Sequence, residues 1–312
     1  MITLSEFKPL WWLANPHLQT LWPVWFGRHG LHGRSERLEL DDGDFVDLCW
    51  FDGDGPLVVV VHGLEGSINS HYAGAMMLAL QESGFHGLFM HLRGCSGEPN
   101  RLDRSYHSGE TGDLAAVVRH AAGVTGKPVF AMIGYSLGGN ALLKWLGEEG
   151  EQSPLQRAVA VSVPFRLDDG ARRLSTGISR LYQHHLLNRL RRNFRRKFRQ
   201  RASPLTVDLD SLCDFYSFDD RVTAPLHGFS GADDYYRQSS SRQYLKNIQC
   251  ETLILHAQDD PFLFEKSIPG NEELSQHVTL ELSKHGGHVG FIGGRVFPKR
   301  WLEPRIIQFL QS

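Results

Sequence analysis

Leu57-Val58-Val59-Val60-Val61 is an unbroken apolar run, and four of its five residues are β-branched and suited to a strand. Side chains alternate between the two faces of a strand, so a run without a polar position has no face to give to water. Its place is inside a parallel sheet covered on both sides. The rest of the chain repeats the pattern. Strands are expected at 87–91, 129–134, 158–163, 252–256 and 278–282, and helical periodicity at 72–81, 113–122, 137–148 and near 301–310. This alternation predicts an α/β fold with a mostly parallel central sheet flanked by helices. Residues 37–40 and 45–51, joined by Asp41-Asp42-Gly43, predict an antiparallel hairpin at the sheet edge. With 312 residues, 41% hydrophobic content and no Ser/Gly- or Pro-rich linker, one decorated domain over 1–312 that includes an N-terminal arm, 1–34, is the simplest organisation.

The rhythm stops after Pro164 for about ninety residues, which predicts a cap insertion at about 165–240 between two sheet strands. Inside it lies the basic run from Asn188 to Arg201. Leu187, Leu190, Phe194 and Phe198 recur at spacings of three or four, the mark of an amphipathic helix. The simplest expectation is a helix docked by this apolar stripe with its arginines in water. Peripheral contact with an anionic lipid surface, or with an acidic substrate group, is the alternative use of that charge.

Gly134-Tyr135-Ser136-Leu137-Gly138 matches G-x-S-x-G and stands between an apolar strand and an amphipathic helix, the context in which a sharp turn lifts a serine oxygen clear of the backbone. Side chains at the two glycines would collide with the neighbouring strand and helix. Ser136 is therefore the candidate nucleophile. The Leu137 N–H, at a helix N-terminus, is one candidate donor to a developing oxyanion. Leu64, in His62-Gly63-Leu64-Glu65-Gly66 directly after a buried strand, is the second. An acid should follow a later strand: Asp260 is favoured by spacing, with Asp259 as the neighbouring alternative. A base should come last, and His288 in a Gly-flanked loop is preferred to His285.

A formal net charge of -2 and a pI near 6.8 give no electrostatic argument for nucleic acid. Cys49, Cys95, Cys213 and Cys250 have no paired spacing and are expected as reduced, mostly buried thiols. There is no H-E-x-x-H, no Cys/His cluster and no phosphate-binding G-x-x-x-x-G-K-[ST] loop, so neither a metal nor another cofactor is expected. His184 and His185 are adjacent and would diverge on a helix. Pro16, His17, Gln19 and Pro23 interrupt the apolar N-terminal stretch, so no transmembrane segment is expected and the reading is a cytoplasmic protein.

The sequence also resembles a particular family, the YheT-like α/β-hydrolases, related to the abhydrolase-domain lipases and esterases. The resemblance covers nearly the whole chain and is carried by Pro16-His17-Leu18-Gln19-Thr20, HGLEGSINSHY from His62, HLRGCSGEPNR from His91, YHSGET from Tyr106, GYSLGGN from Gly134, DDPF from Asp259 and HGGHVGFIGG from His285. LHGF from Leu226 and DYYR from Asp234 are further shared features. The resemblance implies an α/β-hydrolase fold, a Ser136-Asp260-His288 triad and cleavage of a small-molecule carboxylic ester. Thioester or amide hydrolysis and acyl transfer would use the same groups, and a non-catalytic binding protein on the fold is the reading from another class. Eukaryotic members act on lipids from a membrane-anchored position. Their N-terminal anchor has no counterpart in this sequence, so the resemblance does not extend to membrane residence. The RGCSGEPN and YHSGET segments are expected to be structural.

Overall fold

A computed structural model describes residues 1–27, 31 and 33–312, so residues 28–30 and 32 of the expected arm lie outside the described residues. The chain runs β1 (Ile2–Leu4), α1 (Pro16–Phe26), β2 (Arg34–Glu39), β3 (Phe45–Phe51), β4 (Leu57–Val61), α2 (Ala73–Glu82), β5 (His86–Met90), α3 (Gly112–Thr125), β6 (Val129–Tyr135), α4 (Leu137–Glu149) and β7 (Arg157–Val161). A helical stretch follows: α5 (Leu167–Leu174), α6 (Ser179–Lys197), α7 (Phe215–Phe218), α8 (Ala224–His227) and α9 (Ala232–Ser239). The sheet resumes with β8 (Glu251–Ala257) and β9 (Val278–Ser283), and α10 (Leu302–Gln311) closes the chain.

These strands form one sheet in the order β1-β9-β8-β7-β6-β4-β5-β3-β2. The β2–β3 hairpin sits at one edge and pairs antiparallel with β5, while all other neighbours are parallel. β4 shows why its sequence is apolar throughout. Leu57, Val59 and Val61 face a core shared with α3 and α4, whereas Val58 and Val60 face a second core shared with α2 and α10. Burying each of these side chains contributes about 1.5–3 kcal/mol. The strand expected at 158–163 ends two residues sooner, because Ser162 takes a positive φ of 53° and turns the chain out of the ladder.

The arm contains a strand that its sequence did not advertise. Ile2–Leu4 pairs parallel with Leu280–Leu282 and extends the sheet by one edge strand, half exposed and too short for a readable alternation. Residues 167–239 form a helical layer with its own apolar cluster, including Leu174, Leu187, Phe215, Phe218 and Tyr235. Among the described residues no helix is long and apolar enough to cross a membrane. The cysteines are free, but the expectation of burial holds for Cys49 and Cys250 alone: Cys95 is half-buried and Cys213 is exposed.

Candidate active site

The chain leaves β4 for β5 on one side and returns to β6 on the other, so the sheet has a switch point between β4 and β6. Crevices outside the carboxyl ends of such strands are where ligands bind in open α/β sheets. Ser136 follows β6 there. Its φ of 50° and ψ of −115° are outside both helix and strand, and the turn is pinned by the Ser136 N–H donating to Val161 O at 2.8 Å. Crowding explains the glycines around it. A Cβ on Gly134 would lie 2.5 Å from Gly138 O, and one on Gly138 would lie 2.5 Å from His62 O.

β8 and β9 deliver the partners. His288 Nε2 is 2.9 Å from Ser136 Oγ, and His288 Nδ1 is 2.8 Å from Asp260 Oδ2. Asp260 is 3% exposed, and its second oxygen accepts the Phe262 N–H at 2.8 Å. The Phe262 ring lies flat on the His288 imidazole, with centroids 4.0 Å apart and planes 6° apart. An ionised Asp260 holds the imidazole proton on Nδ1, which leaves Nε2 as an acceptor facing the serine hydroxyl. Asp259 points elsewhere, accepting the Gly287 N–H at 3.0 Å and meeting His285 Nδ1 at 3.2 Å. His285 therefore stands outside the hydrogen-bonded chain.

The loop after β4 faces the same serine, close enough that a Cβ on Gly63 would come 3.1 Å from Ser136 Cβ. Neither Leu64 N–H nor Leu137 N–H has an acceptor among the described residues, whereas the flanking amides are engaged. Gly63 donates to Tyr72 Oη at 2.8 Å and Glu65 to Tyr106 Oη at 2.8 Å. The Tyr106 hydroxyl donates in turn to Glu65 Oε1 at 2.9 Å, closing a ring around a residue held at φ 54°. Beneath the loop, His62 Nε2 accepts the Leu92 N–H at 3.0 Å and Nδ1 contacts Gly63 O at 2.6 Å. Burial pulls the His62 pKa down to about 3, so it is a neutral structural histidine. Burial pushes the Glu65 carboxyl up.

Several supporting residues were invisible as such in the sequence. Thr20 Oγ1 accepts the His288 N–H at 2.9 Å and donates to Pro16 O at 2.8 Å. Ser162 Oγ accepts the Val289 N–H at 3.0 Å. Gln19 donates to Leu13 O and Ile292 O and accepts the Ile292 N–H at 2.7 Å, strapping α1 to the segment after His288. The signal for this clamp was the Pro16-to-Thr20 motif, which carries no chemistry of its own. The RGCSGEPN and YHSGET segments are built into buried polar networks. Arg93 meets Asp113, Asp44 and Asp42, and Asn140 Nδ2 donates to Ser108 O at 2.8 Å and Ser239 O at 2.7 Å.

The helical layer covers the serine and encloses a cavity of about 760 Å³ lined by Ser136, His288 and Leu64 together with largely apolar groups of α5, α6 and the segments beyond. α6 meets the expectation of arginines in water in part: Arg192, Arg195 and Arg196 are exposed, whereas Arg189 and Arg191 are half-buried. Leu187 is buried in the apolar cluster, with Leu190 and Phe194 packed on it, and several cations hydrogen-bond carbonyls of neighbouring loops, Arg196 while still exposed. Arg189 donates to Glu65 O, Arg196 to Gly94 O and Gly97 O at 3.0 and 3.1 Å, and Arg201 to Leu102 O at 2.8 Å. Asn193 reaches the Glu65 carboxyl. These loops end with bare carbonyls, and a guanidinium satisfies them at a distance an apolar side chain could not.

Residues 56–294 match the family described as the alpha/beta hydrolase fold. The chain is 46% identical over 318 residues to the Escherichia coli (strain K12) protein named "Putative esterase YheT", covering 99% of this chain and 94% of that one. It is 28% identical to the mouse protein named phospholipase ABHD3, covering 100% of this chain and 79% of the relative. Among solved structures, the Pyrococcus furiosus esterase Pf2001 superposes with a TM-score of 0.61 at 17% identity, over 90% of this chain and 91% of that one.

Proposed function

The chain belongs to the α/β-hydrolase fold family and to its YheT-like branch, and from that premise we propose that it is a carboxylic ester hydrolase acting through an acyl-enzyme on Ser136. The observation that carries this reading is the continuous hydrogen-bonded chain from Asp260 through His288 to a serine on a strained elbow. In the reaction His288 Nε2 takes the Ser136 proton as Oγ attacks the ester carbonyl, and Asp260 stabilises the imidazolium. The Leu64 and Leu137 N–H groups hold the oxyanion, each contributing about 3 kcal/mol of transition-state stabilisation. The leaving alkoxide takes its proton from His288. Water, deprotonated by the same nitrogen, then attacks the acyl-enzyme, and His288 returns that proton to Ser136 Oγ as the acid is freed.

Residues 167–239 serve as the cap. Its Leu174, Leu186 and Phe218 offer the acyl chain an apolar wall, and Trp25, Ile178 and Leu181 stand exposed at the edge where α1 meets α6. A hydrophobic acyl ester fits this enclosure. The test is hydrolysis of p-nitrophenyl esters of increasing chain length. Specificity rising from acetate to medium-chain esters is expected, and Ser136→Ala should lower kcat by a factor on the order of 10⁵ to 10⁶. A sharp fall beyond the shortest chains would overturn the apolar acyl site, and an unimpaired variant would overturn the nucleophile.

A further inference from the structure

The cavity has a second chemical character away from its apolar wall. α6 crosses over the site: the Tyr182 ring lies 4.9 Å from Phe262, Arg189 sits on the Leu64 loop, and Arg196 and Lys197 reach the loop that follows β5. At 1.5 Å per residue, Arg189 and Lys197 are separated by roughly 12 Å along the helix. All three cations line the cavity.

Among the described residues none of the three is held in a direct ion pair, although the Glu65 carboxyl acts on Arg189 and Arg196, and Asp44 and Asp103 act on Lys197 from further away. Arg93, in the same wall, is matched by Asp42, Asp44 and Asp113. Arg189, Arg196 and Lys197 have no carboxylate within ion-pair distance among the described residues, and their partners are backbone carbonyls and Asn100 Oδ1. The carboxyls lining the cavity are Glu65 and Asp219, and burial pushes both up, Asp219 to about 6. A guanidinium has five N–H donors, of which Arg189 spends one and Arg196 two on carbonyls. Burial, reinforced by Arg201 and only partly offset by Asp44 and Asp103, draws the Lys197 ammonium down to about 7, and an anion beside it would restore its charge.

We propose that this end of the cavity binds an anionic group carried by the ester substrate, a phosphate or a carboxylate, through Arg189, Arg196 and Lys197. The proposal rests on Ser136 being an ester-cleaving nucleophile and adds the class of ester. Planar guanidinium forks favour flat or tetrahedral oxyanions over neutral polar groups, and charge-assisted bonds in a partly dry site are stronger than their surface counterparts.

Matched pairs of esters test it. p-Nitrophenyl octanoate is compared with mono-p-nitrophenyl suberate, whose acyl chain ends in a carboxylate, and monooctanoylglycerol with octanoylglycerol phosphate. The expected result is that at least one anionic ester exceeds its neutral partner in kcat/KM by about tenfold or more at low ionic strength, a preference that shrinks as salt screens it. Arg196→Met and Lys197→Met should each lower that ratio severalfold, and Lys197→Arg should retain it. Wild-type ratios at or below one in both pairs would overturn the proposal while leaving ester hydrolysis standing. Hydrolysis of none of the four would overturn both. A preference that survives both Met substitutions in folded protein would overturn the assignment to these residues, and because wild-type ratios at or below one overturn the proposal by themselves, a variant that fails to fold leaves it open to refutation.

Discussion

Asp259 and Asp260 are chemically identical neighbours that the fold puts to different use. Asp260 is buried against His288 Nδ1, whereas Asp259 ties down the Gly287 amide in the loop that carries the histidine. Asp260→Asn should cost roughly 10³- to 10⁴-fold in kcat, because the amide favours the wrong imidazole tautomer. Asp259→Asn loses a charge-assisted bond to backbone and should cost about tenfold. Steady-state kinetics on the two variants check this, and a larger loss at Asp259 would reverse the roles. In the sequence the pair could be ranked only by spacing, while Ser136 stood out because its motif is local and rigid. Thr20, Ser162 and Phe262 were not legible. Thr20 and Phe262 touch His288, and Ser162 the amide of Val289 beside it, across long stretches of chain, and a lone threonine, serine or phenylalanine bears no mark of such a role.

The strands and helices of the sheet were legible where one periodicity ruled: β4, buried on both faces, and α4, fixed by the elbow before it, lie within a residue of their expected ends. The helical layer was legible only as a break in rhythm. Its helices divide their burial between each other, the cavity and the body, so no single stripe describes them. The basic run of α6 was legible in part for the same reason: several of its arginines are exposed as expected, but Arg189 and Arg196 also satisfy carbonyls of loops distant in sequence. α1 is the clearest case of an element whose worth lies in what it holds. Gln19 is fully buried and bridges Leu13 and Ile292. Gln19→Leu leaves the Leu13 carbonyl and the Ile292 N–H without partners, Ile292 O keeping the Leu10 N–H, and should destabilise the fold by about 2–4 kcal/mol. It should also lower kcat more than it changes KM, because the His288 loop loses its strap. Thermal unfolding with parallel kinetics reads both, and an unchanged Tm would contradict the clamp.

Across the whole molecule, the site exists because a parallel sheet gathers the ends of β4, β6, β8 and β9 at one edge, while the buried cores on both faces hold those ends still. That burial carries a cost in acid. His62 and His71 are pulled down to about 3, His107 to about 2 and His256 to about 4, mainly by desolvation. The folded chain keeps them neutral while the unfolded chain protonates them near 6.5, so the native state binds fewer protons. Their stabilisation is complete above pH 6.5 and is lost as pH falls towards 4, at about 1.4 kcal/mol per pH unit for each. Asp219, raised to about 6, works in the opposite sense over part of that window, as do Glu65, Glu110 and Asp259, also raised by burial, while the lowered His17, His86, His91, His185 and His227 add to the effect of the four. Tm should fall steeply between pH 6.5 and 4.5, and a flat profile would contradict the neutral histidine core. In the proposed reaction this whole arrangement serves to make Ser136 a nucleophile. The direct measurement is labelling with a fluorophosphonate read by intact mass and peptide mapping: one adduct on the Ser136 peptide of the wild type and none on Ser136→Ala is expected, whereas equal labelling of the two proteins would contradict it.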